Sequence, residues 1–96
     1  MKEEGVRAGD IITVHYPHST EFRHGIAMVK SGAIEPAESF GEAMRRVSAL
    51  AGPGVWSRHP QGQQEPTPEQ AIVWEFHPAS GSPAGYQVQW YRPGKP

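Results

Sequence analysis

Five histidines stand out in a chain of 96 residues that has no cysteine to share metal or nucleophilic work. Neutral imidazole ligates zinc, nickel or copper, and it exchanges protons near neutrality. His15 and His18 flank Tyr16-Pro17, and His24 follows shortly after. A turn at Pro17 would draw these three rings together as a candidate metal site. Their spacing matches no established ligand motif and no carboxylate stands at a ligand offset, so they are read first as loop and strand-end histidines. His59 and His77 each precede a proline and read as turn residues at element boundaries. No serine sits in a nucleophile elbow, no glycine-rich loop opens a helix as a phosphate cradle, and no carboxylate pair stands out. Trp56, next to a Gly-Pro-Gly stretch, and Tyr16, at a strand end, are the candidate binding aromatics, because exposed aromatic rings anchor interfaces.

The elements that must position these groups follow from periodicity. Residues 11–16 alternate as a strand, with Ile12, Val14 and Tyr16 on one face, and Pro17 ends the run. The polar stretch 18–23 reads as a loop and residues 25–30 as a second strand. Residues 36–51 read as a helix that opens on Pro36. Its apolar stripe is Ala37, Phe40, Ala43, Met44, Val47, Leu50 and Ala51. Glu42 is placed to pair with Arg46 one turn later, and Gly52-Pro53-Gly54 stops the helix. Residues 57–70 are poor in apolar side chains and read as an exposed loop. Residues 71–77 and 86–91 are the third and fourth strands, with Trp74, Phe76, Tyr86 and Trp90 as core aromatics. The expected fold is α+β. It is a small, curved, four-stranded antiparallel sheet of SH3-like or half papain-like form, with one helix between strands two and three. Residues 1–96 make a single domain with a flexible leader at 1–8 and a tail at 92–96.

Composition narrows the function classes. Nine basic residues balance ten acidic ones, which leaves no electrostatic footprint for nucleic acid. No apolar run approaches the ~20 residues of a membrane span, and no signal sequence follows Met1. A cytoplasmic protein is expected. Eleven glycines and ten prolines exceed a fifth of the chain, so turns are many. The absence of asparagine, with abundant Arg, Pro and Gly, suits a high-GC bacterial or phage genome.

Two resemblances bear on fold and activity. Gly9-Asp10-Ile11-Ile12, His24-Gly25-Ile26-Ala27-Met28-Val29 and Gly32-Ala33-Ile34-Glu35 resemble the core of NlpC/P60-like papain-fold enzymes, in the permuted, lecithin:retinol acyltransferase-like branch. Val88-Gln89-Trp90-Tyr91-Arg92-Pro93 resembles that branch's closing strand. The resemblance implies His24 as general base and Glu35 as the group that orients it. With no cysteine in the chain, an amidase or acyltransferase reaction would need its nucleophile from another chain. Gly9-Asp10, Tyr16-Pro17-His18 and His24-Gly25 are also similar to SH3-like and Tudor-like barrels such as CarD-type RNA-polymerase-interacting domains. That resemblance implies binding to a protein through an exposed strand or groove. The leading expectation is a non-catalytic binding or accessory domain with a protein partner, no cofactor, no nucleic acid and no membrane. The papain-like reading and metal binding through His15, His18 and His24 are the alternatives.

Overall fold

A β-branched run builds the central strand. Ile11, Ile12, Thr13 and Val14 favour a pleated backbone, and β1 spans Ile11–His15. The computed structural model describes residues 5–30, 32–81 and 85–94. Residues 1–4 of the expected leader, 82–84 of the expected 78–85 connection and 95–96 of the expected tail lie outside these. After β1 come β2 (Ser19–Arg23), β3 (Ile26–Lys30), β4 (Ile34–Ala37), α1 (Phe40–Ala51), β5 (Gly54–His59), β6 (Ile72–Pro78) and β7 (Gln87–Tyr91). Five strands form one antiparallel sheet in the order β4-β1-β7-β6-β5, and β2 and β3 pair only with each other. The α+β class and the antiparallel pairing therefore hold. β2, β4 and β5 are additional to the four expected strands, and the helix lies between β4 and β5.

Each missed strand has a physical reason. The 18–23 segment is polar because β2 is exposed on both faces, so it carries no alternating apolar signal. Pro36 sits inside β4 and does not open the helix. β4 is an edge strand, where a missing N–H costs no ladder bond. β5 begins at Gly54 and takes in Ser57–His59, so the expected loop is a strand there. Trp56 lies opposite Phe76 and Arg58 opposite Trp74. Trp56 packs on Phe76 at 5.0 Å between ring centroids, and the Arg58 guanidinium covers the Trp74 ring at 5.8 Å.

The helix starts at a cap. Ser39 Oγ accepts from the Glu42 N–H at 3.1 Å, and Glu42 reaches back to accept from the Glu38 N–H at 3.1 Å. Ser39 is the N-cap, and Glu42, three residues on, adds a second bond one residue further back than a capping box would place it. The pairing of Glu42 with Arg46 is present. α1 must carry the chain from β4 at one edge of the sheet to β5 at the other. Its 12 residues rise about 18 Å, and four strand spacings span about 19 Å. One crossing helix is therefore the right length for the job. Replacing Ser39 with alanine is expected to lower unfolding free energy by about 1 kcal/mol. Urea denaturation followed by circular dichroism measures this, and an unchanged midpoint would show that the cap is not formed.

The core lies between α1 and one face of the sheet. Ile12, Val14, Ile72, Phe76, Val88 and Trp90 come from the strands, and Ala43 and Val47 from the helix. Phe40 wedges between Trp74 at 4.7 Å and Trp90 at 5.2 Å. Leu50, expected in the helical stripe, is exposed. No helix among the described residues is long and apolar enough to cross a membrane.

The chain before α1 forms one long ribbon. Val14 lies opposite Glu35, His15 opposite Ile34, Ser19 opposite Lys30 and Phe22 opposite Ala27. The position numbers of every pair sum to 49, so β1–β2 and β3–β4 share one register across a break near Pro17 and Gly32. Tyr16 N–H still donates to Ala33 O at 2.9 Å inside that break. The outer half, β2–β3, leaves the main sheet as an arm. The radius of gyration is 15.2 Å, against about 13 Å for a compact domain of this size.

Candidate functional site

Three places carry enough side-chain chemistry to be considered. The first is a junction where the two ends of the described chain meet. Asp10 follows the expected turn at Gly9, and its N–H donates to Arg7 O at 3.0 Å. Its carboxylate is 1% exposed. Arg92 Nε donates to Asp10 Oδ1 and Arg92 Nη2 to Asp10 Oδ2, both at 2.8 Å. Trp90 Nε1–H and the Arg7 N–H donate to Oδ2 at 3.0 and 2.9 Å. The remaining Arg92 donors reach Glu65 Oε1, Pro66 O and Gly5 O at 3.1–3.3 Å. Arg92, expected in the tail, is thus the hub that ties the N-terminal turn and the 65–66 segment to β7. The guanidinium, chiefly, with the backbone and indole N–H groups, holds the Asp10 carboxyl well below the usual carboxylate range; Asp10 in turn pushes the Arg92 pKa up. A cleft of about 620 Å³ opens beside this junction, lined by Arg7, Asp10, Pro68, Arg92 and Pro93 among others. Its charged groups are engaged with one another, since Arg7 also pairs with Glu65 at 3.3 Å. The junction is a structural clamp.

The second place is the sheet face away from α1. His15, Gln87, Glu75 and Ser57 stand in one row across β1, β7, β6 and β5. Ser57 Oγ lies 2.7 Å from His77 Nε2 and 3.3 Å from His59 Nε2, and that same nitrogen is 3.8 Å from Glu75. A serine beside imidazole suggests an activated nucleophile. Here the hydroxyl and the carboxylate address the same ring nitrogen of His59, so the carboxylate does not orient the ring from its far side. The cluster is a solvated hydrogen-bonded sheet face. His59 and His77 both belong to strands, not to turns, and this contact was hidden because it joins residues twenty apart through the β5–β6 register.

The residues singled out from the sequence do not converge. His24 and Gly25 are the two central residues of the β2–β3 turn, with φ of 51° and 78°. A two-residue hairpin of type I′ needs positive φ at both positions, which glycine supplies freely and histidine tolerates better than most residues. Glu35 lies far along the ribbon on β4. It accepts from the Tyr16 hydroxyl at 2.8 Å and faces Arg46 at 3.7 Å, and His24 takes no part. The nearby carboxylate raises the Tyr16 pKa. Tyr16 also meets Tyr86 edge-on at 5.9 Å, and Trp56 is half-buried against Phe76, so neither aromatic stands free on the surface. His15 Nε2 bonds Thr13 Oγ1 at 2.9 Å, and burial lowers its pKa. His18 lies in the ribbon break. Among the described residues no three His, Asp or Glu side chains are placed to hold a metal ion.

The third place is the arm. Phe22 is 75% exposed, Val29 70%, Ile26 64% and Met28 48%. The register puts Phe22 with Ala27 and Val29 on one face of the ribbon, and Ile26 with Met28 on the other. Both faces of the arm therefore present apolar groups to solvent. A two-stranded hairpin by itself is marginally stable in water, and here no described residue of β2 or β3 belongs to the core cluster or to the apolar residues packed against it.

Comparison of the chain with known protein families, with curated proteins and with solved structures gives no match.

Proposed function

We propose that this protein is a small non-catalytic binding module that acts by protein–protein contact, with the β2–β3 arm as its contact element. The observation that carries this reading is the exposure of Phe22, Ile26, Met28 and Val29 on a projecting ribbon. Burying such side chains against a partner recovers ~1.5–3 kcal/mol each when complete. Leaving them in water gives the folded monomer nothing. The arm's chemistry favours a protein over nucleic acid. It carries Glu21 beside Arg23, and the whole chain has a net charge of −1, where a nucleic-acid arm would carry a basic stripe. No observation at His24 or Glu35 favours a catalytic role over this one.

The test pairs an arm variant with a control elsewhere. Phe22→Ser with Val29→Ser is expected to leave stability within about 0.5 kcal/mol of the parent, because neither side chain is buried. The same variant is expected to lose the parent's partners in quantitative affinity capture from the native host. Leu50→Ser, at an exposed apolar site on α1, is expected to retain them. Identical capture by the parent and the arm variant would overturn the reading.

A further inference from the structure

We infer that the partner of the arm is a second copy of this chain, joined through β3 in a symmetric, antiparallel strand pairing centred on Met28. This rests on the reading of the arm as a contact element and names what it contacts.

The free edges of the ribbon decide the geometry. Natural edge strands are blunted by charges or proline, because their unpaired N–H and C=O groups otherwise template association. β4 carries Glu35 and Pro36, and β2 carries Glu21 and Arg23. β3 reads Ile-Ala-Met-Val before its terminal lysine, with neither device across four residues. It is the unprotected edge of the arm.

Hydrogen-bond alternation then fixes the register. In a hairpin closed by two residues, the flanking pair, here Arg23 and Ile26, exchanges the ladder bonds, and bonded pairs alternate from there. Glu21–Met28 is the next bonded pair, so Ala27 and Val29 turn their backbone groups outward. A twofold axis at Met28 sets Ala27 against Val29 of the second copy and satisfies all four outward groups of each chain. The pairing is isologous and closes on itself. On one face it aligns Phe22, Ala27, the second copy's Val29 and its Thr20 in a row, and on the other it packs Met28 on Met28. The product is a four-stranded sheet, which clears the size at which strands become stable. Pairing through β2 instead would centre on Glu21 and set two carboxylates directly opposite, which is unfavourable.

The absence of cysteine in the chain makes the test clean. In this register the two Met28 Cα atoms form a non-hydrogen-bonded pair about 4.5 Å apart, within the range a disulfide bridges. Sedimentation velocity on the full chain is expected to show reversible dimers at concentrations on the order of 100 μM, as suits a small interface. Met28→Cys is expected to oxidise to a covalent dimer at least about tenfold faster than Leu50→Cys or Glu21→Cys, since only the first meets disulfide geometry. Val29→Pro removes an outward N–H and spares the β2–β3 ladder, so it is expected to be monomeric with an unchanged circular dichroism spectrum. Val29→Lys gives a second route to the same result should the proline variant fail to fold. A chain that stays monomeric throughout, or a dimer in which position 28 does not cross-link preferentially, would overturn this pairing. If a monomeric chain still captures another protein through the arm, the pairing falls and the contact role stands. If arm variants alter neither association nor capture, both fall.

Discussion

Asp10→Ala is expected to lower unfolding free energy by about 1.5–3 kcal/mol, the range for losing hydrogen bonds to a charged group, because Arg92 keeps Glu65, Pro66 O and Gly5 O as partners. Asp10 is the acceptor shared by Arg92, Trp90 and the Arg7 backbone. Its loss leaves the Trp90 Nε1–H without its carboxylate partner beneath the core and strips Arg92 of its bidentate partner. Asp10→Asn keeps the shape and one acceptor oxygen but not the charge, so a smaller loss is expected. For a domain of this size each kcal/mol moves the thermal midpoint by about 4–8 °C, so the Asp10→Ala midpoint is expected to fall by roughly 10–20 °C. The same carboxylate sets an acid limb. Its folded pKa is depressed, so its contribution is complete above the ordinary carboxylate range and is lost as pH falls through and below about 4. The parent's stability should drop along that limb, and the Asp10→Asn profile should be flatter there. Urea denaturation of parent and variants between pH 7 and pH 3 measures both effects. A loss under about 1 kcal/mol for Asp10→Ala, typical of an exposed pair, would show that the clamp is not the buried pair described.

How much of this was legible in the chain depends on the sequence distance of each interaction. The β6 and β7 strands were readable because Ile72, Trp74, Phe76, Val88 and Trp90 alternate and face a real core. The helix body was readable from Ala43, Met44 and Val47, and its true start was written in Ser39-Phe40-Gly41-Glu42. Pro36 outweighed that signal because proline suits both the first turn of a helix and an edge strand. The His24-Gly25 turn had a local signature too, since a residue tolerant of positive φ followed by glycine is a hairpin signal. That signal is weak here because β2 lacks an apolar face to mark the strand before the turn. The Asp10–Arg92 clamp joins positions 82 residues apart, and no local pattern announces it. The Ser57–His77 contact likewise exists only once β5 and β6 are in register. The arm was hidden for another reason: exposed Phe22, Met28 and Val29 look the same in sequence as buried ones, and only the fold shows what covers them.

Gly32→Ala is the second large effect expected, and it reports on the joint between body and arm. A Cβ built at Gly32 would stand 1.8 Å from Tyr16 O and 2.8 Å from Tyr16 C. Those atoms are backbone on the opposing strand, so no rotamer change relieves the clash and the two strands must move apart. The site lies where the ribbon passes from the β1–β4 ladder to the arm, and the Tyr16 N–H to Ala33 O bond of 2.9 Å spans the same point. Separation there strains that bond and the neighbouring His15–Ile34 pair. A cost of about 3 kcal/mol is expected, the upper end of ordinary overpacking, because backbone rather than side chain must give. The damage should be local in pattern. Amide exchange should rise through β2, β3 and β4, while β6 and β7, which hold the far side of the core, keep their protection relative to the variant's own global stability. This separates the joint from the core in a way that a midpoint alone does not. Glycine packs here by having no side chain, so Gly32→Ser should behave as Gly32→Ala does, and neither should resemble a helix or turn substitution. Unchanged exchange across Tyr16 and Ala33 in the alanine variant would mean that the two strands do not approach as closely as described, and the ribbon would then not be a single continuous register.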